Sequence, residues 1–104
     1  AKPFKQIKIP NDFDDNILVK AIRSKRPQHT TDWKDLFIPA MSATDARFNQ
    51  AGAGIECSYV YPFDYESGGA LIFSYFIQAE KIGDPQKTFM KSYASLVGST
   101  LRNL

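Results

Sequence analysis

The segment Lys20-Ala-Ile-Arg-Ser-Lys-Arg-Pro-Gln-His-Thr-Thr-Asp-Trp-Lys34 holds the residue types best suited to chemistry with a ligand. It carries five Lys/Arg against a single Asp, with His29, two Thr hydroxyls and Trp33. Phosphate groups are held by Lys, Arg, hydroxyls and helix N-termini. An aromatic ring offers a stacking platform for an unpaired base. Lys20, Arg23, Lys25, Arg26, His29 and Lys34 are therefore the candidates for nucleic-acid contact. A solvated helix end followed by a loop has the same composition. Trp33 also fits an apolar stripe, so it reads as core.

Catalytic constellations are sparse. The chain has one His and one Cys, so His29 and Cys57 form its only Cys–His pair. A nucleophile needs an oriented base beside it. Cys57 has no activating neighbour in sequence, and Glu56 points to the opposite face of a strand. Zinc or thiolate sites need clustered ligands. Asp12-Phe-Asp-Asp15 could attract a divalent cation, but no loop glycine or terminal Glu completes an EF-hand pattern. Ala51-Gly-Ala-Gly54 lacks the Lys and the following helix of a phosphate loop. The expectation is a protein without catalytic, metal or cofactor sites.

Charge is distributed unevenly. Residues 1–52 hold nine Lys/Arg against six Asp, and residues 53–104 hold four Lys/Arg against five Asp/Glu. The positive field lies in the first half. No run of apolar residues reaches the 18 needed for a spanning helix. The N-terminal Ala-Lys-Pro-Phe-Lys has no signal-peptide shape, and a single cysteine forms no internal disulfide. These features give a cytoplasmic expectation. At 104 residues the chain has the size of one domain.

The elements that hold these residues centre on a hairpin. Ile55-Glu-Cys-Ser-Tyr-Val-Tyr-Pro-Phe63 turns through Asp64–Gly69 into Ala70-Leu-Ile-Phe-Ser-Tyr-Phe-Ile-Gln-Ala79. Both arms alternate apolar and polar residues with period two around a Gly-containing turn. Pairing Tyr61 with Leu71, Tyr59 with Phe73 and Cys57 with Tyr75 puts the apolar sets on one face. A one-residue slip would break that match, so this register, or one two residues away, is favoured.

Around the hairpin, Lys2–Pro10 reads as a basic edge strand or arm bracketed by prolines. Asn11 or Asp12 caps a helix running to about Ser24, with Phe13, Ile17, Leu18, Ala21 and Ile22 on one face. Asp12, Asp14 and Asp15 fall in its first turn, and Lys20, Arg23, Lys25 and Arg26 at its end, as the helix dipole favours. Pro27–Thr31 is a loop. Trp33, Leu36, Phe37, Ala40, Met41, Thr44 and Phe48 continue a helical stripe that Pro39 interrupts. It predicts two short helices or one kinked helix, the second piece capped by Ser42, ending before Gly52 and Gly54. Gly83-Asp84-Pro85 opens a last helix to about Asn103. Its stripe is Phe89, Met90, Tyr93, Leu96, Val97, Leu101 and Leu104, and Gly98 within it permits close approach of another backbone.

The predicted fold is α+β. It is a two-layer sandwich with a small antiparallel sheet, the hairpin of about residues 55–79 plus the N-terminal edge strand, covered by two to four helices. The chain is one domain over residues 1–104. Tyr59, Tyr61, Phe73 and Tyr75 face the helices. Val60, Ile72 and Phe76 then face outward, rimmed by Ser58, Ser74 and Gln78, as a candidate protein interface.

One family resemblance bears on function. Trp33-Lys-Asp-Leu36, Gly54-Ile-Glu opening a strand, Glu66-Ser-Gly-Gly in a hairpin turn, Asp84-Pro-Gln and Ser92-Tyr-Ala together resemble phage single-strand annealing proteins of the Erf type over about residues 31–95. If nucleic acid is the ligand, the resemblance implies single strands rather than duplex. This chain departs from that pattern where arginines would follow the Tyr-Ala pair, because it has Ser95 and Leu96 there.

Two functions follow as expectations. The first is a small non-catalytic binding or assembly module acting through protein–protein contacts, with a protein partner or a second copy of itself. The alternative is a nucleic-acid-binding protein with single-strand preference, using the basic residues 20–34. An enzyme with an unrecognised site ranks third. Small size fits an origin in a virus or mobile element, and no contact with a membrane is expected.

Overall fold

The computed structural model describes residues 13–104. The expected strand at Lys2–Pro10 and the caps at Asn11 and Asp12 lie outside the described residues. The elements run α1 (Ile17–Ser24), β1 (Gln28–Thr30), α2 (Lys34–Phe37), α3 (Ala43–Ala53), β2 (Cys57–Phe63), β3 (Gly69–Tyr75), a 3-10 turn (Ala79–Lys81) and α4 (Asp84–Arg102). The fold is α+β, with a three-stranded antiparallel sheet in the order β1-β2-β3.

The hairpin forms with the register its alternation implies: Cys57 opposite Tyr75, Tyr59 opposite Phe73 and Tyr61 opposite Leu71. Its strands are shorter than the apolar pattern, because the chain bends away after Tyr75. The turn uses Glu66 and Gly68 at positive φ, 50° and 115°, a backbone region in which only glycine is unstrained. At its base Gly69 pairs with Phe63, and the Phe63 ring occupies the space a Cβ on Gly69 would need.

The third strand comes from the stretch that reads as a loop. Gln28, His29 and Thr30 pair with Val60, Tyr59 and Ser58. Three residues are too few to display an alternation, and the partner strand imposes the extended conformation. The pairing makes β2 the central strand, buried from Cys57 to Tyr61. Pro62 lies beyond the reach of β1, where β2 is an edge on that side and a missing N–H is tolerated.

Two cores form, one on each side of β2. Cys57, Tyr59 and Tyr61 pack with Ile82, Met90 and Ala94 of the C-terminal segment, joined by Phe63, Leu71, Phe73 and Tyr75. On the other face Val60 packs with Ile17 and Ala21 of α1 and Leu36 of α2, joined by Leu18, Trp33, Phe37 and Ala70. Helices therefore cover both faces of the sheet, where the sequence pattern places them on one.

The helix caps locate these layers. The expected start of α1 is corrected to Ile17, with Asn16 as cap and Asp14 and Asp15 ahead of the helix. Asn16 is fully buried. Its Oδ1 accepts from the amides of Leu18 and Val19, and its Nδ2 donates to the carbonyls of Leu36 and Ile38. No aspartate could make that second pair of bonds, because an ionised carboxylate only accepts. The stripe from Trp33 to Phe48 breaks into α2 and α3 around Pro39. Ser42 caps α3 through its hydroxyl to the amide of Asp45. α3 runs through Gly52 to Ala53, and Gly54 ends it at φ 72°. α4 starts at the expected point, with the Gln86 side chain returning to the Gly83 amide.

Candidate protein-contact surface

The buried face of α4 is Met90, Ala94 and Gly98, spaced four apart on one side of the helix. A Cβ on Gly98 would lie 3.2 Å from the Asp64 carbonyl oxygen and from Phe63 Cβ, the close backbone approach anticipated there. With Ala94 and Gly98 against the sheet beside the fully buried Met90, the other large residues of the helix lie to the outside. Phe89 is 58% exposed, Tyr93 46% and Leu96 61%. Of the apolar stripe read from the sequence, only Met90 is fully buried. The small residues at 94 and 98 were the available signal, because a helix lying close to a sheet puts its smallest side chains innermost.

These outward residues form an aromatic cluster with the edge of the sheet. Phe73 of β3 lies edge-to-face with Phe89 (centroids 6.4 Å apart) and with Tyr93 (6.1 Å), and Phe89 and Tyr93 are 5.8 Å apart. Tyr61 meets Phe73 on its inner side at 6.0 Å. Aromatic contact thus runs from the buried core out to the surface. Such edge-to-face pairs contribute about 0.5–1.5 kcal/mol each beyond area burial.

The cluster borders the side of β3 that faces away from β2. This strand pairs with β2 on one side and with no described strand on the other. Its sequence, Gly69-Ala-Leu-Ile-Phe-Ser-Tyr75, contains no charged residue and no proline. Edge strands are ordinarily blunted by charges, proline or a bulge, and the side chains of β3 supply no such protection. On its other face Ile72 is 42% exposed, and beyond the strand Phe76 is 73% exposed beside Gly54.

Of the three residues expected to form an outer patch, Val60 is corrected. It is fully buried under α1 and α2, because the N-terminal helices expected in a single layer occupy this face instead. Ser58 and Ser74, expected in a polar rim, form a bonded pair below Trp33: their hydroxyls are 2.7 Å apart, and the Trp33 indole N–H donates to Ser58 at 2.9 Å. Ile72 and Phe76 remain at the surface.

The basic segment runs over three elements. Lys20 and Arg23 are on α1, Lys25 and Arg26 follow it, His29 is on β1, and Lys34 opens α2. Arg23 forms an ion pair with Asp14, and Lys34 with Asp35 at 2.7 Å. Lys25 sits in the left-handed region at the end of α1 (φ 58°). His29 stacks on Tyr59 with centroids 5.2 Å apart. Lys20, Arg23, Lys25, Arg26 and His29 are all exposed, as expected of this segment, while Trp33 is held by the second core rather than presented to a base.

Cys57 and His29 do not form a dyad. The Cys57 thiol donates to the Ile77 carbonyl at 3.4 Å, and burial, with Glu56 and Glu80 nearby, pushes its pKa up. A thiol so placed stays protonated and inert. Burial likewise raises Tyr59, Tyr61 and Tyr75, so their phenols are neutral near pH 7. An open cleft of about 300 Å³ lies between α1 and the hairpin turn, lined by Ile22, Lys25, Phe63, Asp64, Glu66 and Ser67 among others. Its mixed charges favour neither an anion nor a cation. Among the described residues no group of three or more His, Cys, Asp or Glu could hold a metal, and no helix is long and apolar enough to cross a membrane.

Comparison with family models, with curated proteins and with solved structures finds no match for this chain. The resemblance to Erf-type annealing proteins therefore stands on its short motifs alone.

Proposed function

We propose that this chain is a non-catalytic binding module that acts through protein–protein contact, using the edge of β3 that no described strand covers and the aromatic face of α4. One observation carries the reading: an uncharged, seven-residue strand at the edge of the described sheet lies directly beside exposed Phe89 and Tyr93. An added strand gains main-chain hydrogen bonds from such an edge, and neighbouring side-chain surface supplies selectivity. Aromatic residues dominate the energetics of protein contacts. The packing of Trp33 against the second core, which leaves the basic segment without a stacking ring, favours this reading over single-strand contact.

The test uses a synthetic strand with the sequence of residues 68–76, titrated into the labelled protein and followed by NMR. Shifts are expected at the β3 amides and at Phe89 and Tyr93, and are lost in Phe89→Ser/Tyr93→Ser. Shifts caused by a single-stranded oligonucleotide around Lys20–Lys34, with none at β3 from the peptide, would overturn the reading in favour of nucleic acid.

A further inference from the structure

We infer that the occupant of this surface is a second copy of the chain, joined β3 to β3 about a two-fold axis through Ile72. The inference rests on the contact surface proposed above. β3 runs from Gly69 to Tyr75, so Ile72 is its midpoint, and antiparallel pairing of Ile72 with the partner's Ile72 uses its full length. In that register Phe73 lies beside the partner's Leu71, and Ala70 beside the partner's Ser74. Each strand keeps Leu71, Phe73 and Tyr75 on the α4 side, so the two sheets join with their faces matched. The axis is perpendicular to the sheet and brings both α4 aromatic faces to the same side of a six-stranded sheet.

Charge and area both support a self-partner. A two-fold axis places each residue near its own counterpart, so any charge in the strand would face its like, which is destabilising. β3 has none. β1, the other edge, carries His29 and follows Lys25 and Arg26, so self-pairing there would bring like charges together. A fully buried aromatic side chain removes ~150–250 Å² from water. Half-exposed Phe89 and Tyr93, with Leu96, Ile72 and the strand edge of both copies, bring the total area to the order of 1,000 Å², the lower bound for a specific interface and the size of a weak, reversible dimer.

Sedimentation analysis of the intact chain over a concentration series is expected to show a monomer–dimer equilibrium. Ile72→Lys and Ile72→Glu should each weaken the dimer by at least about tenfold, through like charges meeting at the axis. Mixed one to one, the two variants should form a heterodimer, which native mass spectrometry would resolve by mass. As an independent measurement, Ile72→Cys should cross-link to itself on mild oxidation, while Ser42→Cys, exposed at the start of α3, should not. A wild-type protein that is monomeric up to millimolar concentration overturns the inference. So does a dimer indifferent to both charges, or a failure of the Ile72→Cys variant to cross-link. If the monomer still binds the strand peptide at β3, the contact surface stands without the two-fold. If neither contact forms, both readings fall.

Discussion

Asn16 and Leu36, twenty positions apart, are joined by a buried hydrogen bond of 2.7 Å from the Asn16 side-chain nitrogen to the Leu36 carbonyl. The same amide bonds the Ile38 carbonyl at 2.8 Å, while its oxygen caps α1. One side chain thus starts a helix and anchors the end of another. Asn16→Ala should cost about 2–4 kcal/mol, combining a lost cap with two buried carbonyls left without a donor. Asn16→Asp should restore the cap yet remain unstable, because a carboxylate would face those carbonyls. Urea unfolding with an unchanged m-value is the measurement.

Val60 and Phe76 share a face in the sequence pattern but not an environment in the fold. Val60→Asp would bury an unpaired charge between β2 and the two N-terminal helices, so the chain should unfold at 25 °C or lose more than about 3 kcal/mol. Phe76→Asp, at an exposed position, should change stability by no more than about 0.5 kcal/mol. Circular dichroism melts of the two variants side by side would check the contrast.

Sequence and structure part in an instructive way. The hairpin register is legible, because Tyr59, Tyr61, Phe73 and Tyr75 must share a face for either strand to be buried. The start of α4 is legible from Gly83-Asp84-Pro85. β1 is not, because its strand conformation is imposed by β2 and has no local signature. Asn16 is harder to find than Asn11 and Asp12, since its decisive bonds run to Leu36 and Ile38, which sequence distance hides. The surface of α4 is misleading because hydrophobicity there does not track depth. Ala94 and Gly98 lie deeper than Phe89 and Leu96 because the helix packs close to the sheet.

Gly68 should be intolerant of substitution for two separable reasons. Its φ of 115° is strained for any other residue, and a Cβ there would lie 2.5 Å from Ile22 Cγ2. Gly68→Ala should destabilise by about 2–3 kcal/mol. In an Ile22→Ala background the steric part disappears, and the cost of the same change should fall to about 1 kcal/mol. A double-mutant cycle by chemical denaturation separates the two; an unchanged cost would show that backbone strain alone is at work.

Asp35 ties stability to acid pH. Partial burial works against its charge, but bonds from Lys34 (2.7 Å) and Thr30 (2.6 Å), with the nearby positive charges, hold its pKa below the ordinary 3.8. A depressed carboxylate stabilises the fold above its unfolded pKa, and the contribution fades as pH falls through the lower folded value. Wild type should therefore exceed Asp35→Asn in stability at neutral pH, by less than ~1 kcal/mol because Lys34 is solvated. The gap should narrow below about pH 4. Urea midpoints measured from pH 7 to pH 2 would show a constant gap if the carboxylate is not responsible.

β2 carries Cys57, Tyr59 and Tyr61 into one core and Val60 into the other, so its odd and even positions answer to different neighbours. Substitution along this strand is a local matter, repairable by a compensating change nearby. Insertion or deletion of a single residue is not: it would exchange the contents of the two interiors, sending tyrosines toward α1 and leaving a valine beneath α4. In divergent descendants of this gene, length changes should therefore accumulate around Pro39 and between Tyr65 and Ser67 at the tip of the hairpin, while the spacing from Cys57 to Tyr61 stays frozen even where its letters drift.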